Sequence, residues 1–130
     1  MKRIYTIALL AATLLAAGCD LESREAKKEH AAQTVTDFYM HIKNHEFDSA
    51  MRCTDLADSE AAPVADLFSQ MGMEIHDFRV DTVILAPGDS LARVHVALRV
   101  SNVAAPDTAD AHPIIPCVKT RDGWRVRFGF

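Results

Sequence analysis

Hydrophobic positions fall into three regimes along this chain. From Ile4 to Ala17 every residue is apolar or small except Tyr5, Thr6 and Thr13, behind a positive start of Lys2 and Arg3. From Glu29 to about Lys43 the apolar residues Ala31, Val35, Phe38 and Ile42 recur at helical spacing, which predicts an amphipathic helix. Phe47, Ala50 and Met51 mark a short second helix to about Cys53, and Thr54 to Ala61 is polar and reads as a loop. Pro63 suits the first turn of a third helix. Val64, Leu67, Phe68 and Met71 give that helix an apolar face, and Gly72 ends it.

After Gly72 the period changes from 3.6 to 2. Phe78, Val80, Thr82 and Ile84 alternate with Arg79, Asp81 and Val83, and Pro87-Gly88-Asp89 predicts a turn. Ala92, Val94, Val96, Leu98 and Val100 alternate with Arg93, His95, Ala97, Arg99 and Ser101 in the strongest strand pattern. Asn102 to Ala111 reads as a loop. Ile114 to Thr120 reads as an edge strand, because Pro113 and Pro116 each lack a backbone donor. Asp122-Gly123 predicts a hairpin turn into Trp124, Val126 and Phe128. Helices followed by an antiparallel meander make an α+β domain. A curved sheet of about four strands buries one face on the N-terminal helices.

The first regime has the three parts of an export leader: positive start, apolar stretch, small residues at its end. It is shorter than the ~20 residues of a membrane-spanning helix. Leu15-Ala16-Ala17-Gly18-Cys19 resembles the lipobox of bacterial lipoproteins. That resemblance implies cleavage after Gly18, a diacylglycerol on Cys19 and an acylated new amino terminus. The expected division is a leader over 1–18, a lipidated terminus and charged spacer over 19–28, and one domain over 29–130. The expected location is the cell envelope, held on a membrane by lipid. Two or more chains of ~0.8 kcal/mol per buried methylene anchor a protein stably.

Charge excludes one class of partner. Removing Lys2 and Arg3 from a formal net charge of −4 leaves −6, a poor surface for nucleic acid. With Cys19 committed to lipid, Cys53 and Cys117 remain as an even pair. An oxidising envelope joins such a pair into a disulfide or leaves two buried thiols, and both readings stand. A bridge would contribute about 4 kcal/mol by loop entropy.

Phe38-Tyr39-Met40-His41-Ile42-Lys43-Asn44-His45-Glu46-Phe47-Asp48-Ser49-Ala50 is similar to the first helix-turn-helix of NTF2-like domains. More narrowly it resembles the small lipoprotein branch known as DUF4878. Gly123-Trp124-Arg125-Val126 resembles the closing strand of that group. His45 stands where the group usually has glycine. The resemblance implies a cone-shaped α+β domain with a pocket between helix and sheet.

Candidate chemistry is sparse. His41 and His45, with Asp37 a turn earlier, have helical spacing for metal ligands. They border the apolar stripe and no further Cys or His motif completes a shell, so they read as a solvated flank, with no metal and no cofactor. The residues expected to face inward are Phe78, Val80, Ile84, Val94, Val96, Leu98, Trp124, Val126 and Phe128, none of which takes a proton. Of these, Phe78, Val96, Trp124 and Phe128, together with Phe38 on the helix, are the expected pocket lining. Asp37 and Tyr39 are the polar groups nearest the pocket. A pocket enzyme of isomerase or hydratase type using Asp37 is the alternative to a non-catalytic module. Arg93, Arg99, Lys119, Arg125 and Arg127 are assigned to the wet sheet face. The expected ligand is a small apolar molecule or an envelope protein, with a structural homodimer as a third reading.

Overall fold

The computed structural model describes residues 23–128, so the leader and Cys19 lie outside the described residues. Helix α1 spans Arg24–Lys43 and buries Ala31, Val35, Phe38, Tyr39 and Ile42 on one side. It starts five residues before the periodicity predicts, because its first turns carry no apolar stripe. Local chemistry supports them instead. The Ser23 hydroxyl accepts a hydrogen bond from the Ala26 N–H at 3.1 Å, capping an otherwise orphaned donor. Arg24 and Lys27 both pair with Asp89, in the turn of the first hairpin.

A short helix α2 covers Phe47–Met51, and α3 covers Asp58–Met71. Helix α3 begins inside the segment read as a loop, with Asp58 and Glu60 in a first turn where acids favour the helix dipole. Pro63 therefore lies in the second turn and not the first. The covered line of α3 is Ala61, Val64, Ala65 and Phe68; Leu67 and Met71 are about half exposed and do not belong to it. Gly72 ends α3 at φ 60°, in the left-handed region.

Five strands follow: β1 Glu74–Leu85, β2 Leu91–Ser101, β3 Ala109–Ala111, β4 Ile114–Thr120 and β5 Gly123–Val126. The main order is β1-β2-β4-β5, antiparallel throughout, with β3 also pairing to β2. Strand β3 forms from the end of the expected loop. Strand β4 is not an edge, because β5 covers its far side. The bonds Val96 N–H to Pro113 O and Lys119 N–H to Ser90 O show that odd-numbered β4 residues face β2. Pro116 has the other parity. Its missing donor points past the end of β5, where nothing in the ladder requires it.

Strand β1 departs from simple alternation at two register shifts, between Ile75 and Asp77 and between Val80 and Thr82. Each adds one residue and reverses which parity points inward. Ile75, Phe78, Val80, Val83 and Leu85 thus face the core, and Ile84 is turned out, 51 % exposed. On β2 the alternation is unbroken: Ala92, Val94, Val96 and Leu98 are buried. These side chains, with Cys117, Trp124 and Val126, pack against α1. The buried core residues run from Ala31 to Val126, so the segment carries its own core.

Beside β5 the chain after α2 adds a further short rung. Thr54 bridges Val126 in parallel, the Val126 N–H donates to Cys53 O, and the Asp55 N–H donates to Val126 O. Buried Thr54 is satisfied by donating to Met51 O at 2.6 Å.

Candidate ligand cleft

An apolar gap opens between the C-terminal half of α1, Phe68 of α3 and the sheet. The gap is a cleft of about 540 Å³. Helix α1 contributes Phe38, Tyr39 and Ile42; α3 contributes Phe68, with Met73 just beyond it. The floor comes from Leu98 and Val100 of β2, Ala111 of β3 and Ile115 of β4. Pro113, Pro116, Val126, Arg127 and Phe128 complete the wall. Phe38, Phe68 and Phe128 form a triangle with ring centroids 6.1 to 6.4 Å apart. Such tilted and edge-on contacts hold aromatic rings in place beyond simple burial. The Phe128 backbone is fixed by its N–H donating to an Asp55 carboxylate oxygen at 2.8 Å.

Only two lining side chains carry a polar head group, Tyr39 and Arg127. Tyr39 is buried, and desolvation pushes its phenol up to about 12. Arg127 is exposed at the wall and permanently charged. Neither accepts a proton from a substrate at neutral pH.

Of the residues assigned to the lining from sequence, Phe38 and Phe128 stand in the cleft. Phe78 stacks beside Tyr39, ring centroids 5.9 Å apart, without lining it. Val96 is 1 % exposed and lies beneath α1, too deep to meet a ligand. Trp124 belongs to a different site. Tyr39, Phe68, Ile115 and Arg127 were missed as lining. Ile115 and Phe68 carry the right periodicity, but only the tertiary fold, which sets the Phe68 ring against Phe38 and Phe128, brings them to one cleft. Arg127 was assigned to the outer sheet face by parity. Strand β5 ends at Val126, so that parity no longer governs it.

The second site is a polar hollow of about 320 Å³ on the other flank of α1, lined by Thr34, Asp37, His41, Ser49, Arg52, Cys53, Trp124 and Arg125. Asp37 accepts from the Gln33 amide at 2.8 Å and does not line the apolar cleft. His41 Nδ1 lies 3.1 Å from a Glu46 oxygen, and His45 Nε2 lies 3.3 Å from Glu74. The three candidate ligands thus engage different partners, and among the described residues no group of three metal-binding side chains converges. His45 sits at φ 60°, a left-handed conformation that glycine adopts more readily. The Trp124 Nε1 is buried with no acceptor among the described residues.

Cys53 and Cys117 stand as free thiols, the second of the two readings left open by the sequence. Val126 pairs with Cys117 on one side and with the Cys53–Thr54 segment on the other. The cysteines are therefore two strand spacings apart, about 10 Å. A disulfide tolerates a Cα separation of roughly 7 Å at most. Burial pushes the Cys117 thiol up to about 12. Burial, then the charge of Asp37, raises Cys53, with Arg125 opposing.

No family model and no curated protein matches the sequence. Solved structures do match the fold. A ketosteroid isomerase-like protein from Erwinia carotovora atroseptica superposes with a TM-score of 0.59 at 11% identity, covering 78% of this chain and 92% of that one. A domain of unknown function with a cystatin-like fold from Nostoc punctiforme gives 0.56 at 17% identity, covering 73% and 69%. A candidate dehydratase of the NTF2-like family from Streptomyces avermitilis gives 0.51 at 14% identity, covering 80% and 93%. The fold is the NTF2-like, cystatin-like cone. NTF2-like neighbours thus include isomerase-like and dehydratase-like proteins as well as domains without an assigned activity. At these identities the likeness extends to the fold alone, and function rests on the site.

Proposed function

We infer that this NTF2-like domain is a non-catalytic binding module of the bacterial cell envelope, tethered by lipid on Cys19, whose cleft takes a small apolar ligand. The observation that carries the reading is the cleft itself: about 540 Å³, lined by aromatic and aliphatic side chains, with no group that acts as a base at neutral pH. Pockets of this size and lining are those that enclose small ligands. The leader, the lipobox-like Leu15–Cys19 and the narrower likeness to the DUF4878 lipoprotein branch support the envelope assignment. The enzyme alternative relied on Asp37, which opens onto the polar hollow on the other flank of the helix.

The test uses the chain over residues 20–130 and the fluorescent apolar probe N-phenylnaphthylamine. Saturable fluorescence enhancement is expected. Ala111→Trp places an indole on the cleft floor and is expected to weaken binding by at least about tenfold, the equivalent of 1.4 kcal/mol. Asp37→Asn is expected to leave binding unchanged. Absence of saturation, or an Ala111→Trp variant that binds like the parent, overturns the reading.

A further inference from the structure

Resting on the binding role above, the geometry points to a narrower ligand class: a single-chain amphiphile with a carboxylate head, its tail in the cleft and its head on Arg127. Every other lining residue is apolar or, for Tyr39, neutral across the physiological range. Arg127 is the exception, and its surroundings define the exception's use.

Four other arginines are engaged, and of those without such a partner among the described residues Arg127 is the one that lines the cleft. Arg24 pairs with Asp89, Arg79 with Asp81 and Arg99 with Asp110. Arg125 donates to the carbonyls of Trp124 and Asp122. Arg127 is held by its backbone, whose N–H donates to Pro116 O at 2.8 Å. Its guanidinium forms no ion pair or side-chain hydrogen bond among the described residues. An arginine that lines an apolar cleft, with its backbone fixed and its guanidinium unpaired among the described residues, suits a ligand that is apolar along its length and anionic at one end. The guanidinium fork matches a carboxylate through two parallel hydrogen bonds. A single cation on a chain whose formal net charge without the leader is −6 favours a singly charged head over a doubly charged one.

The experiment displaces N-phenylnaphthylamine from the 20–130 chain with dodecanoate or dodecanol, which share a tail and differ in head charge. Both are held below the concentration at which they aggregate. Dodecanoate is expected to bind about fivefold more tightly, the range of an exposed ion pair. That preference should shrink as salt rises. Arg127→Gln should abolish it while leaving dodecanol affinity unchanged, and Arg127→Lys should restore part of it. A parent protein that binds both equally, or an Arg127→Gln variant that keeps the preference, overturns the carboxylate proposal while leaving the apolar cleft standing. If the probe binds to no saturable site, the binding role and this proposal fall together.

Discussion

Two buried acids with raised pKa values set how single residues couple this fold to pH. The Tyr39 phenol is raised from 10.0 to about 12 and the Cys117 thiol from 9.0 to about 12, both by loss of hydration on burial. In each case the neutral form is the one the folded state accommodates. Below pH 9 both groups are neutral in either state, and their full contribution is present. As pH rises, the unfolded chain releases these protons first, so stability falls between about pH 9 and 12. Denaturant midpoints measured across that range should decline, with the first part of the decline removed in Cys117→Ala and the later part in Tyr39→Phe. Parallel profiles for the parent and both variants would show that neither group carries the effect. At this scale the sequence was a partial guide. Tyr39 was recognised as a polar group near the pocket, but its pKa depends on Phe78 and the surrounding sheet, which lie far along the chain.

Elements are joined here by features that sequence shows as punctuation and structure shows as contacts. Gly72 ends α3 at φ 60°, and a Cβ built there would come within 2.5 Å of the Val103 Cγ2. Val103 is 82 % exposed, so its side chain has room to move, and the main cost of a side chain at Gly72 is the backbone conformation. Gly72→Ala is therefore expected to lower unfolding free energy by about 1 to 2 kcal/mol, read by urea denaturation. A loss near zero would mean the helix end refolds around the new residue. Helix existence, the change of period after Gly72 and the hairpin turns were all legible, since each depends on local chemistry. The inner position of β4 was not. Two prolines suggested an edge, and only the pairing with β5 shows that Pro116 directs its missing donor away from the ladder. Ile84 was misplaced for a related reason: register shifts in β1 depend on β2, not on the composition of β1.

At the scale of the whole molecule, the cleft lies far along α1 from the Ser23 cap at its start. Phe38 is fifteen residues beyond the Ser23 cap, about 22 Å along a helix at 1.5 Å per residue. Metabolic labelling with palmitate should tag the full chain when it is expressed in bacteria, and Cys19→Ser should lose both the label and membrane association. An unlabelled parent protein would rule out the lipid anchor while leaving the cleft unaffected. The sequence by itself determined the leader pattern, the acidic balance and the α+β succession of helices and strands, because leader chemistry, net charge and hydrophobic period are properties of neighbouring residues. Tertiary structure decided the rest. It separated Cys53 from Cys117 with β5, placed Asp37 on the opposite flank from the aromatic cleft, and brought Phe68, Ile115 and Arg127 to one wall. Those outcomes depend on how strands register and how helices cross the sheet, which are fixed by contacts between residues distant in sequence.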